Sequence, residues 1–150
     1  MLPLATRRPR IFLQTEANEL WAQFSPDGRW VAFQSNATGR YEIYLRPFQV
    51  QGGNVPVSTG GGVYPRWSRD GLELYFVAPD ARMMSARIHA TPTTVKADVP
   101  VPLFATQKLG GGQNVIAHGH QYDVARDGRF LINVDGDANA PPIVLLMNWR

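Results

Sequence analysis

The chain contains no cysteine. Disulfides and thiolate metal sites are therefore excluded, and the redox compartment is left open. No apolar run approaches the ~20 residues that a membrane helix requires. The opening Met1-Leu2-Pro3-Leu4-Ala5-Thr6-Arg7-Arg8 has too short an apolar stretch for a signal peptide. If the parent protein is exported or anchored, that signal would lie upstream. There is no Gly-x-x-x-x-Gly-Lys-Ser/Thr phosphate loop and no Gly-x-Ser-x-Gly nucleophile elbow. Charge of one sign is also scarce. The net charge is +3 from 15 basic and 12 acidic residues, and the basic residues are scattered apart from Arg7-Arg8-Pro9-Arg10. A nucleic-acid surface would need a basic stripe or patch.

What is abundant is strand and turn chemistry. The chain has 150 residues, 44% of them apolar, and its 14 glycines and 12 prolines cluster between apolar runs. That pattern favours many short strands over helices. From Phe24 to Phe48 the sequence reads as two strands behind a tight turn. Val31 and Phe33 alternate with Trp30, Ala32 and Gln34, and Tyr41, Ile43 and Leu45 alternate with Glu42, Tyr44 and Arg46. A period of two in β-branched and aromatic residues is the mark of strands. In the turn Ser25-Pro26-Asp27-Gly28, proline presets φ, aspartate suits the third position and glycine takes the position that favours positive φ.

The unit recurs. Asp27-Gly28, Asp70-Gly71 and Asp127-Gly128 lie 43 and then 57 residues apart, each followed by an apolar strand. A period of about 40–45 residues with several short strands per unit indicates propeller blades. The longer second interval is explained if residues 107–121 are an insertion. The expected fold is all-β, with antiparallel four-stranded blades forming about three blades of a six-bladed β-propeller. The expected boundaries are an N-terminal tail over 1–9, an outer strand over 10–14, blades over 21–58 and 63–105, and a three-stranded last blade over 121–149. The expected strands of the first blade are 21–24, 30–35, 41–46 and 54–58. Those of the second are 63–67, 72–77, 83–89 and 101–105, and those of the third are 121–124, 129–134 and 143–148. Closed propellers need about four to eight blades. Two readings stay open: a fragment of a longer propeller protein, or two copies closing head to tail into one ring.

The segments FSPDGRWVAFQSN and YPRWSRDGLELYFV resemble the WD-like repeats of TolB-type β-propellers. More narrowly, RYEIYLRPF, VSTGGGVYPRWSRDG, PLFAT and VLLMNW resemble the C-terminal sensor-like propeller of bacterial serine/threonine protein kinases. The third copy departs from the pattern, with Ala125-Arg126 where Ser-Pro is usual. No kinase motif is present. The resemblance implies a non-catalytic recognition module, binding a protein or small-molecule ligand at the propeller top or central channel, in a periplasmic or extracytoplasmic setting. The alternative is a propeller hydrolase, or the accessory propeller domain of a serine peptidase.

The candidate ligand-binding residues are Trp21, Tyr64, Arg66, His118 and His120, on the stretches 19–22, 64–66 and 112–121. No catalytic residue, metal or cofactor is assigned. His118-Gly119-His120 has no third ligand fixed by spacing. Asp135-Gly136-Asp137 resembles part of a calcium loop without its remaining ligands. His89 reads as structural. Asp27, Asp70 and Asp127, with Gly28, Gly71 and Gly128, read as turn formers whose carboxylates cap nearby N–H groups. Most of the tryptophans and tyrosines read as filling between blades. A metal-dependent hydrolase would need several acidic or imidazole ligands on the inner strands, which offer only Asp123.

Overall fold

A computed structural model describes residues 11–106 and 121–133, and the backbone of 143–146. The described residues form twelve strands in chain order: β1 (Glu19–Phe24), β2 (Trp30–Ser35), β3 (Glu42–Pro47), β4 (Val55–Pro56), β5 (Val63–Trp67), β6 (Glu73–Val77), β7 (Arg82–Ala90), β8 (Val95–Ala97), β9 (Val101–Ala105), β10 (Tyr122–Val124), β11 (Phe130–Asn133) and β12 (Ile143–Leu146). They form three antiparallel sheets in sequence order: β1-β2-β3-β4, then β5-β6-β7 with β8 and β9, then β10-β11-β12. These are consecutive blades of a propeller-type all-β fold.

The strands alternate because their two faces meet different neighbours. On β6, Leu74 and Phe76 pack with Ala32, Ile43, Leu45 and Val57 of the first blade. Tyr75 and Val77 face the other way, onto Tyr122, Phe130 and Ile132 of the third. A strand covered on both sides reads as a nearly continuous apolar run, as Leu74-Tyr75-Phe76-Val77 does. Tyr75 and Phe104 both meet the ring of Phe130 edge to face, at 5.0 and 5.3 Å.

The passage from first to second blade is tightly constrained. Gly62 lies where a Cβ would come within 2.8 Å of Ile43 and 2.9 Å of Phe76, so only glycine lets the sheets approach this closely. Gly61 has φ +97°, and its N–H donates to both carboxylate oxygens of Glu42 at 2.9 Å. Ser58 Oγ and Arg40 Nε also donate to Glu42. Alternation would place Glu42 on a solvent face with Tyr44 and Arg46. It is instead 3% exposed, because these donors replace water around its charge.

The Asp-Gly turns share a core. Asp27, Asp70 and Asp127 each accept, through Oδ1, the backbone N–H two residues on, at 3.0, 3.0 and 3.2 Å. In the first two, a serine adds a second layer. Ser25 and Ser68 donate to the aspartate at 2.6 and 2.7 Å, and accept from the N–H of Trp30 and Glu73, each at 2.9 Å. Ala125 has no such hydroxyl.

Three strand expectations change. Residues 11–14 pair with no strand among the described residues. Phe12 packs instead on the ring of Phe48 at 5.8 Å and beside the Arg46 guanidinium. The outer strand expected over 54–58 shrinks to Val55–Pro56. Pro56 has no N–H to extend the ladder, and the next two amides, Val57 and Ser58, both turn to the Ile43 carbonyl. The second blade gains a strand, β8, which the polar run Thr91-Pro92-Thr93-Thr94 obscures in sequence. The nine-residue β7 is long enough to pair with β9 over Arg82–Ser85 and with β8 over Ile88–Ala90.

Candidate functional site

The inner strands β1 and β5 carry three of the candidate residues, Trp21, Tyr64 and Arg66. In both β1 and β5 the register with the next strand slips, between Leu20 and Gln23 and between Val63 and Arg66. Inside each slip sits an aromatic residue with positive φ: Trp21 at 57° and Tyr64 at 58°. Both lie six positions before their Asp-Gly aspartate. Bulky side chains rarely adopt this conformation, and it costs on the order of 1–3 kcal/mol. Such strain persists only where surrounding groups over-determine it.

At Tyr64 those groups are identifiable. A bulge removes an N–H and a C=O from the ladder. The Tyr64 N–H donates to Gln34 Oε1 at 2.8 Å, from β2 of the preceding blade. The Tyr64 carbonyl accepts from the Tyr122 hydroxyl at 2.8 Å, from β10 of the following blade. Gln34 is 0% exposed and Tyr122 4%. Burial pushes the Tyr122 hydroxyl well above the usual tyrosine value, so it stays a donor across the ordinary pH range. Burial raises Tyr64 in the same sense. Two neighbouring blades thus hold one strained residue from both sides. Trp67 Nε1 adds a link back to the Gln23 carbonyl at 3.3 Å.

Around this lock lie the polar and aromatic groups of the rim. The rings of Trp21 and Tyr64 are 5.9 Å apart and tilted by 57°. Arg66 is 17% exposed, and its Nε lies 3.8 Å from the Asp123 carboxylate, which is 73% exposed. Of the sequence-derived candidates, Trp21 and Tyr64 come together, and Arg66 lies two residues along β5 from Tyr64. His118, His120 and most of 112–121 lie outside the described residues, as do Asp135 and Asp137. His89, on β7, is paired through Nε2 with Asp98, just past the end of β8, at 2.9 Å. Among the described residues, no group of three His, Cys, Asp or Glu side chains is placed to hold a metal.

Gln34 and Tyr122 were not marked by motif. Gln34 does carry a signal: it is the polar residue in the buried run Trp30-Val31-Ala32-Phe33-Gln34. A polar group inside an apolar strand needs a partner, and its partner is the bulge.

No family model matches the chain. It is 32% identical over 127 residues to dipeptidyl-peptidase 5 of Trichophyton schoenleinii, and equally to that of Arthroderma benhamiae. Each alignment covers 71% of this chain and 17% of the relative. Among solved structures, an oligogalacturonate lyase from Vibrio parahaemolyticus superposes with a TM-score of 0.46 at 14% identity, over 81% of this chain and 32% of that one. The chain therefore spans about one sixth of the length of the curated relatives it matches.

Proposed function

We propose that this chain is a section of a TolB-like propeller that recognises a ligand without chemistry, at the inner rim formed by β1 and β5, which carry Trp21, Tyr64 and Arg66. The observation that carries this reading is the pinned strain at Tyr64. Two side chains from two blades are committed to keeping one aromatic residue in a disfavoured conformation. Tyr64 is itself buried, 4% exposed, so the strain fixes the backbone of β5, which carries Arg66, in advance of any ligand. No catalytic residue is assigned to the rim. Its ligand would be a protein segment or small molecule, and the larger protein would carry any further activity, whether a kinase or another domain.

A second reading is favoured by the similarity to dipeptidyl-peptidase 5: the section belongs to the accessory propeller of a serine peptidase. The rim would then select peptides for a catalytic domain elsewhere. Both readings place recognition here and bond cleavage elsewhere.

One experiment tests them together. A tryptic digest of casein is passed over the immobilised chain, and bound and unbound peptides are identified by mass spectrometry. Retention of intact peptides, lost in Trp21→Ala, supports recognition, and preference for short peptides over whole casein supports the peptidase-associated reading. New cleavage products would overturn the non-catalytic assignment. No retention at all would overturn recognition in favour of a purely structural role.

A further inference from the structure

We propose that Arg66 forms a carboxylate subsite on this rim, taking a singly charged group such as a peptide C-terminus or a small organic acid. The inference rests on the recognition reading and specifies its chemistry. A guanidinium presents five donors in a planar fork that matches a carboxylate. Arg66 uses none of them in a hydrogen bond to a described residue, and its Nε is buried without a partner. Its nearest counter-charge, Asp123, stays 3.8 Å away and is largely in water. The neighbouring polar positions are already committed. The Tyr122 hydroxyl is taken by the Tyr64 carbonyl, and the Tyr64 N–H by Gln34 Oε1. Gln34 Nε2 is a second buried donor without a partner, on the side chain that holds the bulge. Unfilled donors at a buried position are costly to leave empty and rewarding to fill.

The charge balance selects the ligand. Asp123 offsets the single positive charge of Arg66 in part, so a doubly charged phosphate would meet a carboxylate with little left to neutralise it. A monoanion can take the fork while Asp123 remains solvated. Tyr64, two residues along β5, is buried at 4% exposure, so the ligand would meet the guanidinium edge rather than that ring. Asp123 thus acts as a competitor that sets the strength of the subsite.

The test uses the full chain and four probes: N-acetyl-glycyl-phenylalanine, its C-terminal amide, acetate and inorganic phosphate. Binding is followed by the Arg66 Nε–H resonance and by tryptophan fluorescence. The free acid should bind saturably and the amide should not. Acetate binding as well would mark a free-acid site, and binding of the peptide acid alone would mark a C-terminus site. Arg66→Gln should weaken the acid by about tenfold or more, with Arg66→Lys retaining part. Asp123→Asn should tighten it by about two- to fivefold, as expected for release of an exposed competing charge. A purely structural Arg66–Asp123 pair would give no gain in Asp123→Asn, so this variant keeps the test decisive even if Arg66→Gln folds poorly. Equal binding of acid and amide, tighter binding of phosphate, or no binding by either native chain or Asp123→Asn would overturn the subsite. Casein peptides retained unchanged by Arg66→Gln would do so too while leaving the recognition reading intact. No retention of casein peptides by the native chain would instead remove the reading beneath it.

Discussion

The first two Asp-Gly turns and the third look alike in sequence and close differently. In the first, the N–H of Ser25 reaches the carbonyl of Trp30, and in the second that of Ser68 reaches Glu73, five residues on in each case. In the third, the N–H of Ala125 reaches the carbonyl of Arg129, only four residues on. The ladders record the same step. Phe24 pairs with Val31 and Trp67 with Leu74, but Val124 pairs with Phe130, one residue earlier relative to the aspartate. The serine hydroxyl explains the longer loop, because it holds the N–H of the extra residue. Without it, alanine leaves that amide to the ladder.

A one-residue slip turns every side chain to the opposite face. In the second blade, the residues four and six past the aspartate, Leu74 and Phe76, face the preceding blade. In the third it is those three and five past it, Phe130 and Ile132, which do so. Leu131 is left 44% exposed. A single hydroxyl therefore goes with the handedness of a whole strand's burial. The lesson is that repeats aligned on their turns need not be aligned on their faces.

The largest effect expected is on that face. Ile132→Ala should cost about 2–4 kcal/mol, and Leu131→Ala about 0.5 kcal/mol or less, by chemical denaturation. The reverse ranking would mean that the third turn closes like the others. Next in size, Tyr122→Phe should cost about 1–3 kcal/mol, because it removes the hydroxyl that donates to the buried Tyr64 carbonyl. Its hydrogen exchange should rise at Tyr64 rather than at the third turn. Ser68→Ala should cost about 1 kcal/mol and expose the Glu73 amide to exchange. Loss of the longer loop there would require Leu74 and Phe76 to turn over, so the register should hold and only stability should fall.

Acid should separate the turns further. The Ser68 hydroxyl and the Leu72 amide hold the Asp70 carboxyl below its usual value. A lowered folded-state value means stability that is present above pH ~4 and lost as pH falls through the folded value. Asp127 is lowered mainly by the Arg129 guanidinium at an exposed site. The melting temperature of the native chain should therefore fall as the pH drops below about 4. Ser68→Ala should flatten part of that fall, and 0.5 M salt should screen the Arg129 part more than the Ser68 part. The smallest effect should be Ala125→Ser, within about 0.5 kcal/mol. Its hydroxyl can reach Asp127, but widening the loop would expose Phe130 and Ile132. A large stabilisation would show that the third register is held by the turn alone.

Much of the fold was legible because it rests on local signals. Alternation located β2 and β3, and the Asp-Gly pairs located the hairpins. What escaped depends on partners distant in the chain. Glu42 reads as a surface residue until Gly61, Ser58 and Arg40 are folded around it. The faces of β11 depend on how a turn closes, which alternation alone does not encode. At the rim, Trp21 and Tyr64 were legible as aromatics at the mouths of inner strands. Their backbone strain was not, since it exists only where Gln34 and Tyr122 meet the bulge.

That lock also carries a kinetic consequence. The Gln34 and Tyr122 bonds to Tyr64 join residues 30 and 58 positions apart, whereas each meander closes through short hairpins. Local contacts form early and distant ones bear the cost of loop closure. Each blade should thus assemble by itself with Tyr64 relaxed, and the positive φ should be imposed only when all three blades dock. Docking and site formation would then be one event, so that a partly folded chain presents blades but no rim.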